Sequence, residues 1–328
     1  MNKHIVVLLL LLFSLTSCKN TDEKKYLKNS LGNPYEMFLV MKPDLWNGEI
    51  GHSVKKAMTV EDKMLNFSEP AFDVLYVTSK SFRGLTREHR NVVIARINKK
   101  YKKAEVLSQL NKYSQPQLLV VIQAPDSTSL SNIIRDKGDS ILSMFEREEM
   151  IRFSKRVNTK GSKVVQDSIK KLFGFKMAIP SGVIVRHIIK DSMFMWNSYE
   201  MPESSQGVVI YTYPYDGKKI TIKSIIKQRN HFVKLIPGAL KGSYMTTSDM
   251  VKPELKIIKV RNRIWYKTRG FWNVKNDFMG GPFTSFTYVD RGNKVVYVID
   301  NYVYSPNPHK GQRNYIRQLE SIVNSVKF

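Results

Sequence analysis

An apolar segment followed by an amphipathic helical pattern occurs twice in this chain, and this order restricts the folds open to it. Residues 118–122 are apolar without alternation, which is typical of a strand covered on both faces by helices, and a helical pattern follows over 129–157. The same order recurs as a strand over 295–303 and a helix over 308–327. Each helix must pack against a sheet, so we expect two α/β units of similar plan.

The intervening sequence predicts an α+β fold with mostly antiparallel sheets covered by helices. Short apolar runs separated by turn residues predict strands in hairpin-like succession through the second half. A polar stretch that begins at Asn158 is the expected boundary between an N-terminal α/β unit (34–157) and a C-terminal α/β unit (158–328). We also expect a strand over 175–179, and a bend or break of the long helix at Gly138.

The N-terminus has the layout of a cleaved lipoprotein leader. A basic start precedes an apolar run over 5–13, about half of the roughly 20 residues that a membrane-spanning helix needs. Leu15-Thr16-Ser17-Cys18 then matches a lipoprotein processing box, and Cys18 is the only cysteine in the chain. We expect a signal peptide over 1–17, cleavage between Ser17 and Cys18, acylation of Cys18, and a flexible polar spacer over 18–33.

This leader predicts a bacterial envelope protein that acyl chains hold on a membrane. Lys19 stands where an aspartate would favour retention at an inner membrane, so we expect the outer membrane, on either its periplasmic or its surface face. With Cys18 acylated, no cysteine is left to form a disulfide. The stability of the fold must therefore come from packing.

The chain carries a formal net charge of +25, and a field of that sign attracts anionic lipids, lipopolysaccharide phosphates and acidic glycans. Basic residues are densest between positions 83 and 103. The candidate contacts with an anionic surface are Arg96, Lys99, Lys100, Lys102 and Lys103. A solvated basic face without a dedicated ligand explains the same residues, and an exported protein is not expected to bind nucleic acid.

Motifs for catalysis, cofactors and metals are missing from the sequence. It contains no P-loop, no dinucleotide-binding glycine pattern, no zinc-protease motif and no nucleophile elbow, and its six histidines show no ligand spacing. Three neighbouring carboxylates, Glu146, Glu148 and Glu149, suit a solvated helix face better than acid–base chemistry. We therefore expect no catalytic residue, no metal site and no cofactor.

One stretch near the end of the chain combines features of a ligand site. Arg269 is a candidate anion clamp, and Trp272 and Phe283 are candidates to stack around a ligand. The glycine pair that precedes Pro282 predicts a tight turn with positive φ. The alternative is a hairpin whose aromatic side chains fill the core.

Several motifs carry a family resemblance. They are Ser30-Leu31-Gly32, Glu69-Pro70-Ala71-Phe72, Ser243-Tyr244-Met245-Thr246-Thr247, Arg269-Gly270-Phe271-Trp272, Met279-Gly280-Gly281-Pro282-Phe283, Val303-Tyr304-Ser305-Pro306 and Arg317-Gln318-Leu319-Glu320. Over nearly the whole mature chain, the sequence resembles the uncharacterised lipoprotein family known as domain of unknown function 4837. This resemblance implies an envelope location and no activity. The second half also resembles the Mog1/PsbP-type α/β/α sandwich, which implies a fold and no function.

The expected function is that of a non-enzymatic lipoprotein, anchored to the outer membrane, which binds an envelope protein or an anionic surface component such as lipid or lipopolysaccharide. Two alternatives stay open. The first is a structural part of an envelope secretion or motility assembly, which predicts an exposed apolar patch. The second is an envelope hydrolase with its site near Arg269–Phe283, which predicts a pocket with convergent polar groups.

Overall fold

The computed structural model describes residues 26–202, 204–307 and 311–328. The predicted leader, its cleavage site at Ser17 and Cys18, and residues 18–25 of the predicted spacer lie outside the described residues. Within the described part of the chain, no helix has both the length and the apolar character needed to cross a bilayer.

Strands and helices alternate in the first half, and strands dominate the second. The strands are β1 (Glu36–Met41), β2 (Asp73–Thr78), β3 (Asn91–Ile97), β4 (Glu105–Leu110), β5 (Leu118–Ala124), β6 (Ile184–Ile189), β7 (Phe194–Met201), β8 (Ser204–Pro214), β9 (Tyr244–Thr247), β10 (Glu254–Val260), β11 (Arg263–Lys275), β12 (Gly280–Asp290) and β13 (Val295–Tyr304). The α-helices are α1 (Pro43–Trp46), α2 (Glu49–Met58), α3 (Ser127–Lys160), α4 (Lys163–Phe173), α5 (Ile222–Val233) and α6 (Gln312–Ser321). Two 3₁₀ helices span Gly84–Glu88 and Ile322–Ser325.

The first sheet has the strand order β2-β1-β3-β5-β4. Three of its four pairings are parallel, and the pairing of β4 with β5 is antiparallel. The expectation of a mostly antiparallel sheet is therefore wrong for this half. The reason is that α1 and α2 lie between β1 and β2, and a crossover of that length returns the chain to the start of a parallel strand.

Helices cover one face of this sheet. Ile50 and Val54 of α2, with Leu130 and Phe145 of α3, form a core with the inward side chains of β1, β3 and β5. The opposite face carries a small cluster around Phe82, from the segment that precedes β3. The expectation that residues 118–122 are buried on both faces is confirmed. Helices cover only one of those faces, because a chain segment takes the place of the second helical layer.

The long helix α3 continues through Gly138, so the predicted break is wrong. Gly138 is buried, and a Cβ at this position would come within 3.0 Å of the Cβ of Ala57. The glycine therefore lets α2 approach α3 closely. Asp126 caps the start of α3 by accepting a hydrogen bond from the backbone amide of Ser129 at 2.8 Å.

The second sheet has the order β10-β11-β12-β13-β8-β7-β6, with β9 paired to β11, and every pairing in it is antiparallel. Residues with positive φ occur in its hairpin turns, among them Asn262, Asn276 and Lys294. Helix α5 packs on one face, and α4 and α6 pack on the other. The predicted α+β class is confirmed, and antiparallel pairings are the majority in the molecule.

Two further expectations about the second half need correction. Residues 175–179 form an extended segment with a single bridge between Lys176 and Lys327, so they are not a strand of the sheet. The two halves also differ in sheet topology, so they do not share one plan. Similar patterns of apolar residues arise in both because each half buries strands beneath a helix, whatever the direction of those strands.

Helix α3 connects the two halves. Its first turns pack on the first sheet, whereas Phe153 and Val157 near its end belong to the core of the second. Ser154 donates a hydrogen bond to the carbonyl of Ser321 at the end of α6. The predicted boundary at Asn158 falls in the last turn of α3, two residues before that helix ends at Lys160.

Candidate functional site

The predicted ligand residues lie on the hairpin of β11 and β12. The register places Trp272 opposite Gly281 and Gly270 opposite Phe283. Since side chains alternate along a strand, Trp272 and Phe283 face one side of the sheet and Arg269 faces the other. The hairpin therefore does not bring the three candidate residues together around one ligand.

Phe283 belongs to the core, which was the alternative left open by the sequence. It is buried beneath α5, and the guanidinium carbon of Arg229 lies 3.7 Å from its ring centroid. Arg229 in turn pairs with Asp300 through contacts of 2.8 and 3.2 Å, with both side chains fully buried. Burial raises the pKa of Asp300, although Arg229 opposes that effect.

Arg269 is occupied by carboxylates of the protein itself. Its two terminal nitrogens donate to the two carboxylate oxygens of Asp62 at 3.0 and 2.8 Å, and its Nε lies 3.2 Å from Glu320. Arg317 contacts Asp62, Glu146 and Glu320 at 3.0–3.5 Å, and Lys267 contacts Glu320 at 2.9 Å. We call these residues the interface charge cluster: Asp62, Glu146, Lys267, Arg269, Arg317 and Glu320.

The interface charge cluster balances three cations against three anions. Burial would raise the pKa of Glu320, but Lys267, Arg269 and Arg317 outweigh it and hold that pKa well below the ordinary value. Burial likewise opposes ionisation of Asp62, and the hydrogen bonds from Arg269 hold its pKa below the usual range. Both acids are therefore ionised at neutral pH, so the cluster acts as an electrostatic connection between the halves.

The glycine pair before Pro282 has a different role from the predicted one. Neither Gly280 nor Gly281 has positive φ, and both lie in extended backbone at the start of β12. A Cβ on Gly281 would overlap the carbonyl oxygen of Val303. The expectation of a tight glycine turn is therefore wrong. Glycine is required here because two backbones approach closely.

Trp272 lines two adjoining cavities of about 490 and 570 Å³. They share four residues: Trp272, Met279, Tyr304 and Pro306. We call the pair of cavities the aromatic groove. Trp196 and Tyr302 complete one wall, where the indole of Trp196 donates to the hydroxyl of Tyr302 at 2.9 Å.

The rim of the aromatic groove carries two large apolar side chains that are exposed to solvent. Met250 is 91% exposed, and Phe278 is fully exposed at the turn between β11 and β12. Both line the larger cavity. Sequence reasoning missed them, although an aromatic residue within a predicted turn was a signal that could have identified Phe278.

The first half contributes the other side of the groove. Leu65, Asn66 and Phe67 line the larger cavity, and the backbone amide of Asn66 donates to the side chain of Gln312 at 3.1 Å. Asp62, at the start of the same segment, is held by Arg269. Arg269 therefore shapes the groove indirectly, by fixing the segment that lines it.

The predicted basic contacts lie elsewhere, at the carboxyl end of β3. Arg96 donates two hydrogen bonds to the side-chain oxygen of Gln123, at 3.2 and 2.6 Å. The four lysines that follow are exposed in the loop between β3 and β4; they are Lys99, Lys100, Lys102 and Lys103. They do not approach the aromatic groove.

The acidic group on α3 is partly structural. Glu149 is buried and contacts Arg152 at 2.8 Å and Arg90 at 2.7 Å. Glu146 belongs to the interface charge cluster. The expectation of a solvated acidic face is therefore wrong for Glu149. Across the described ranges, no group of three or more His, Cys, Asp or Glu side chains is arranged to hold a metal ion.

Comparisons with known proteins find two uncharacterised domains. A family model described as a domain of unknown function, DUF4837, matches residues 162–325, and a second, DUF8532, matches residues 30–158. The resemblance noted over nearly the whole mature chain is thus divided: Ser30-Leu31-Gly32 and Glu69-Pro70-Ala71-Phe72 fall within the DUF8532 match. No curated protein matches the chain.

Two solved structures are similar to part of this chain. The Ran-binding protein Mog1p of Saccharomyces cerevisiae is 11% identical, and the alignment covers 48% of this chain and 92% of that one with a TM-score of 0.32. A point mutant of protein Mog1 is 10% identical, with the same coverage and TM-score. The DUF4837 match spans half of the 328 residues. The chain therefore belongs to the DUF4837 family.

Proposed function

We propose that this chain is a non-enzymatic, membrane-anchored binding protein whose aromatic groove receives an apolar segment of an envelope partner protein. The observation that carries the proposal is the placement of Met250 and Phe278 at the rim of a groove walled by tryptophan and tyrosine. Aromatic and methionine side chains are enriched at protein interfaces. Exposed apolar groups beside a concave surface mark such sites.

The polar groups near the groove support binding rather than hydrolysis. Asp277 accepts hydrogen bonds from the backbone amides of Phe278 at 2.7 Å and Ala239 at 3.2 Å. Glu200 accepts from the hydroxyls of Ser198 and Ser205 at 2.6 and 3.0 Å. These carboxylates accept hydrogen bonds that hold neighbouring loops and strands in place. They do not form the converging acid–base pair that a hydrolase requires.

The proposed cellular location of the protein rests on the predicted leader. In the proposal, acylated Cys18 holds the folded body beside a bacterial outer membrane, where the positive charge of the chain favours acidic partners and anionic surfaces. The partner's apolar segment makes the contact in the groove. Acidic residues that flank this segment in the partner accelerate association by electrostatic attraction. Partners with acidic residues beside an apolar motif therefore fit best.

Site-specific photo-crosslinking in cells tests this function. A photoreactive phenylalanine analogue would replace Met250 or Phe278, with Val164 as the control, because Val164 is 74% exposed on α4, away from the groove. We expect a discrete protein adduct from both rim positions and none from position 164. Met250→Asp should abolish the adduct formed from position 278. The same adducts from all three positions, or none from the rim, would contradict the proposal.

A structural role in an envelope assembly is the second candidate. It is favoured by the face of the first sheet that helices leave uncovered, where Leu75 and Leu107 are partly exposed. Charged substitutions at these two leucines should leave rim crosslinks intact and release the protein from a large complex in a sizing experiment. Loss of the rim crosslinks together with the complex would instead assign both to the groove.

A further inference from the structure

The first described residues of the chain are held at one edge of the first sheet, where β3 and β5 begin. The prediction of a flexible spacer over 18–33 is therefore wrong for residues 28–31. The backbone amide of Gln115 donates to the carbonyl of Lys28 at 2.8 Å, and Ser30 donates back to Gln115 at 2.9 Å. The amide of Leu31 donates to the carbonyl of Glu88, also at 2.9 Å. Glu88 and Gln115 precede β3 and β5, so the chain enters the fold at the amino ends of these parallel strands.

Basic side chains surround this point of entry. Residues 26–31, 83–90 and 111–117 contain five basic residues and one acid. Arg90 is paired with Glu149 at 2.7 Å, so the other four bases and Glu88 give 4 − 1 = +3. Arg87 and Lys112 lie on the ring of Tyr113, at 5.3 and 5.5 Å from its centroid. We call the exposed members of this region the tether surface: Lys28, Arg83, Leu85, Arg87 and Lys112.

Leu85 is an exposed apolar residue among these cations. It is 67% exposed on the short 3₁₀ helix, between Arg83 and Arg87. Residues three apart eclipse each other on a 3₁₀ helix, so Leu85 lies above Glu88. The carboxylate of Glu88 contacts Lys28 at 3.4 Å. The apolar side chain is therefore on the side of the helix where the chain enters.

The basic block between positions 83 and 103 is divided by the fold. Strand β3 has seven residues and separates Arg83 and Arg87 from the lysines at 99–103. A parallel strand rises about 3.3 Å per residue, so the two groups lie roughly 23 Å apart along the strand. Eight residues join Cys18 to Tyr26, counting positions 18–25, and they reach at most about 28 Å when fully extended.

We propose that the tether surface rests on anionic phospholipid headgroups in the leaflet that holds the acyl chains, with Leu85 inserted among them. The proposal rests on the membrane anchor at Cys18. Lysine and arginine bind the phosphates, the exposed leucine enters the interface, and the tether joins the fold at this edge of the sheet. The lysines at 99–103, which the sequence offered as candidates for this contact, face away from the membrane.

Depth measurements on the acylated protein test the orientation. With Cys18 acylated, a single new cysteine can carry a fluorophore, either as Leu85→Cys or as Lys100→Cys. In vesicles of phosphatidylglycerol and phosphatidylcholine with a nitroxide lipid in the headgroup region, we expect stronger quenching at position 85 than at position 100. Equal quenching, or stronger quenching at position 100, would overturn the proposal.

Vesicle partitioning tests the charge contribution without the anchor. The probe is a Cys18→Ser chain that begins at this residue, with phosphatidylglycerol vesicles at low salt. Each basic residue near an anionic surface raises the partition coefficient roughly fivefold. The triple variant K28Q/R83Q/K112Q should therefore lower the partition coefficient about 100-fold. The matched control K99Q/K100Q/K103Q removes the same charge from the opposite edge and should change partitioning less than about threefold.

The outcomes separate this proposal from the anchor itself. Mass spectrometry of Cys18 and flotation at high salt report on the anchor, whereas the triple variants report on the tether surface. Equal losses in both triple variants would show a response to net charge alone and overturn the assigned surface. Binding to vesicles that contain lipid A, without binding to phosphatidylglycerol, would overturn the phospholipid assignment.

Discussion

Replacing Glu320 with glutamine should weaken the connection between the two halves. Glu320 is 2% exposed and contacts Lys267, Arg269 and Arg317 at 2.9, 3.2 and 3.5 Å. The amide keeps the shape and the hydrogen bond from Thr284 but removes the charge. The interface charge cluster then changes from three cations and three anions to a net charge of +1.

The expected loss follows from these distances. At an effective dielectric constant of about 20, each ion pair near 3 Å is worth roughly 5 kcal/mol before desolvation. Desolvation offsets most of this, and breaking a buried pair typically costs about 3–5 kcal/mol. We expect a loss of that size for Glu320→Gln, and Lys267→Met added to it should restore at least half, since it returns the cluster to neutrality.

Urea unfolding at pH 7, followed by tryptophan fluorescence, measures the effect. Glu61→Gln is the matched control, because Glu61 is exposed beside Asp62 and takes no part in the interface charge cluster; it should stay within about 0.5 kcal/mol of the parent protein. A loss below about 1 kcal/mol for Glu320→Gln would refute the reasoning. So would a double variant less stable than the single one, because charge balance would then not govern the interface.

Three other predictions follow from the buried polar groups and the close backbone contacts. The lowered pKa of Glu320 should make stability fall as the pH drops below the ordinary carboxyl pKa of about 4.3, and pH-dependent unfolding of Glu320→Gln should show a weaker fall. Gly281→Ala should cost about 1–3 kcal/mol in urea unfolding, whereas Gly292→Ala, where the nearest atom would lie 3.5 Å away, should cost little. Asp300→Asn should cost about 3–5 kcal/mol because it leaves Arg229 buried without its counter-charge; calorimetry should show recovery when Arg229→Met is added, and an unchanged melting temperature for the single variant would contradict the assigned pair.

The candidate site could be predicted from sequence in part. Trp272 lies where the aromatic and glycine-rich stretch indicated, and it lines the groove. Arg269 was misjudged because its partner, Asp62, is 207 positions away in the chain, so no local pattern reveals that its guanidinium is occupied. Phe278 lies in the same hairpin, but its full exposure depends on how the turn projects from the sheet.

Local structure, meaning helices, their caps, turns and strands, could be predicted from the sequence alone. Features that depend only on neighbouring residues fall in this group. They are the 3.6-residue period of α3, its aspartate cap, the left-handed glycine at position 174 after α4, and the succession of strands and turns in the second half. The α+β class follows from these patterns. The sequence also determined that the described body contains no cysteine and must be stabilised by packing.

Tertiary structure decided what depends on residues far apart in the chain. Three features require the complete chain path. They are the strand direction in the first sheet, the division of the basic block between two edges, and the contact of Asp62 with Arg269 and Arg317. The physical reason is that periodicity specifies which face of an element is buried, whereas the partner on that face is chosen by packing and charge balance over the whole molecule.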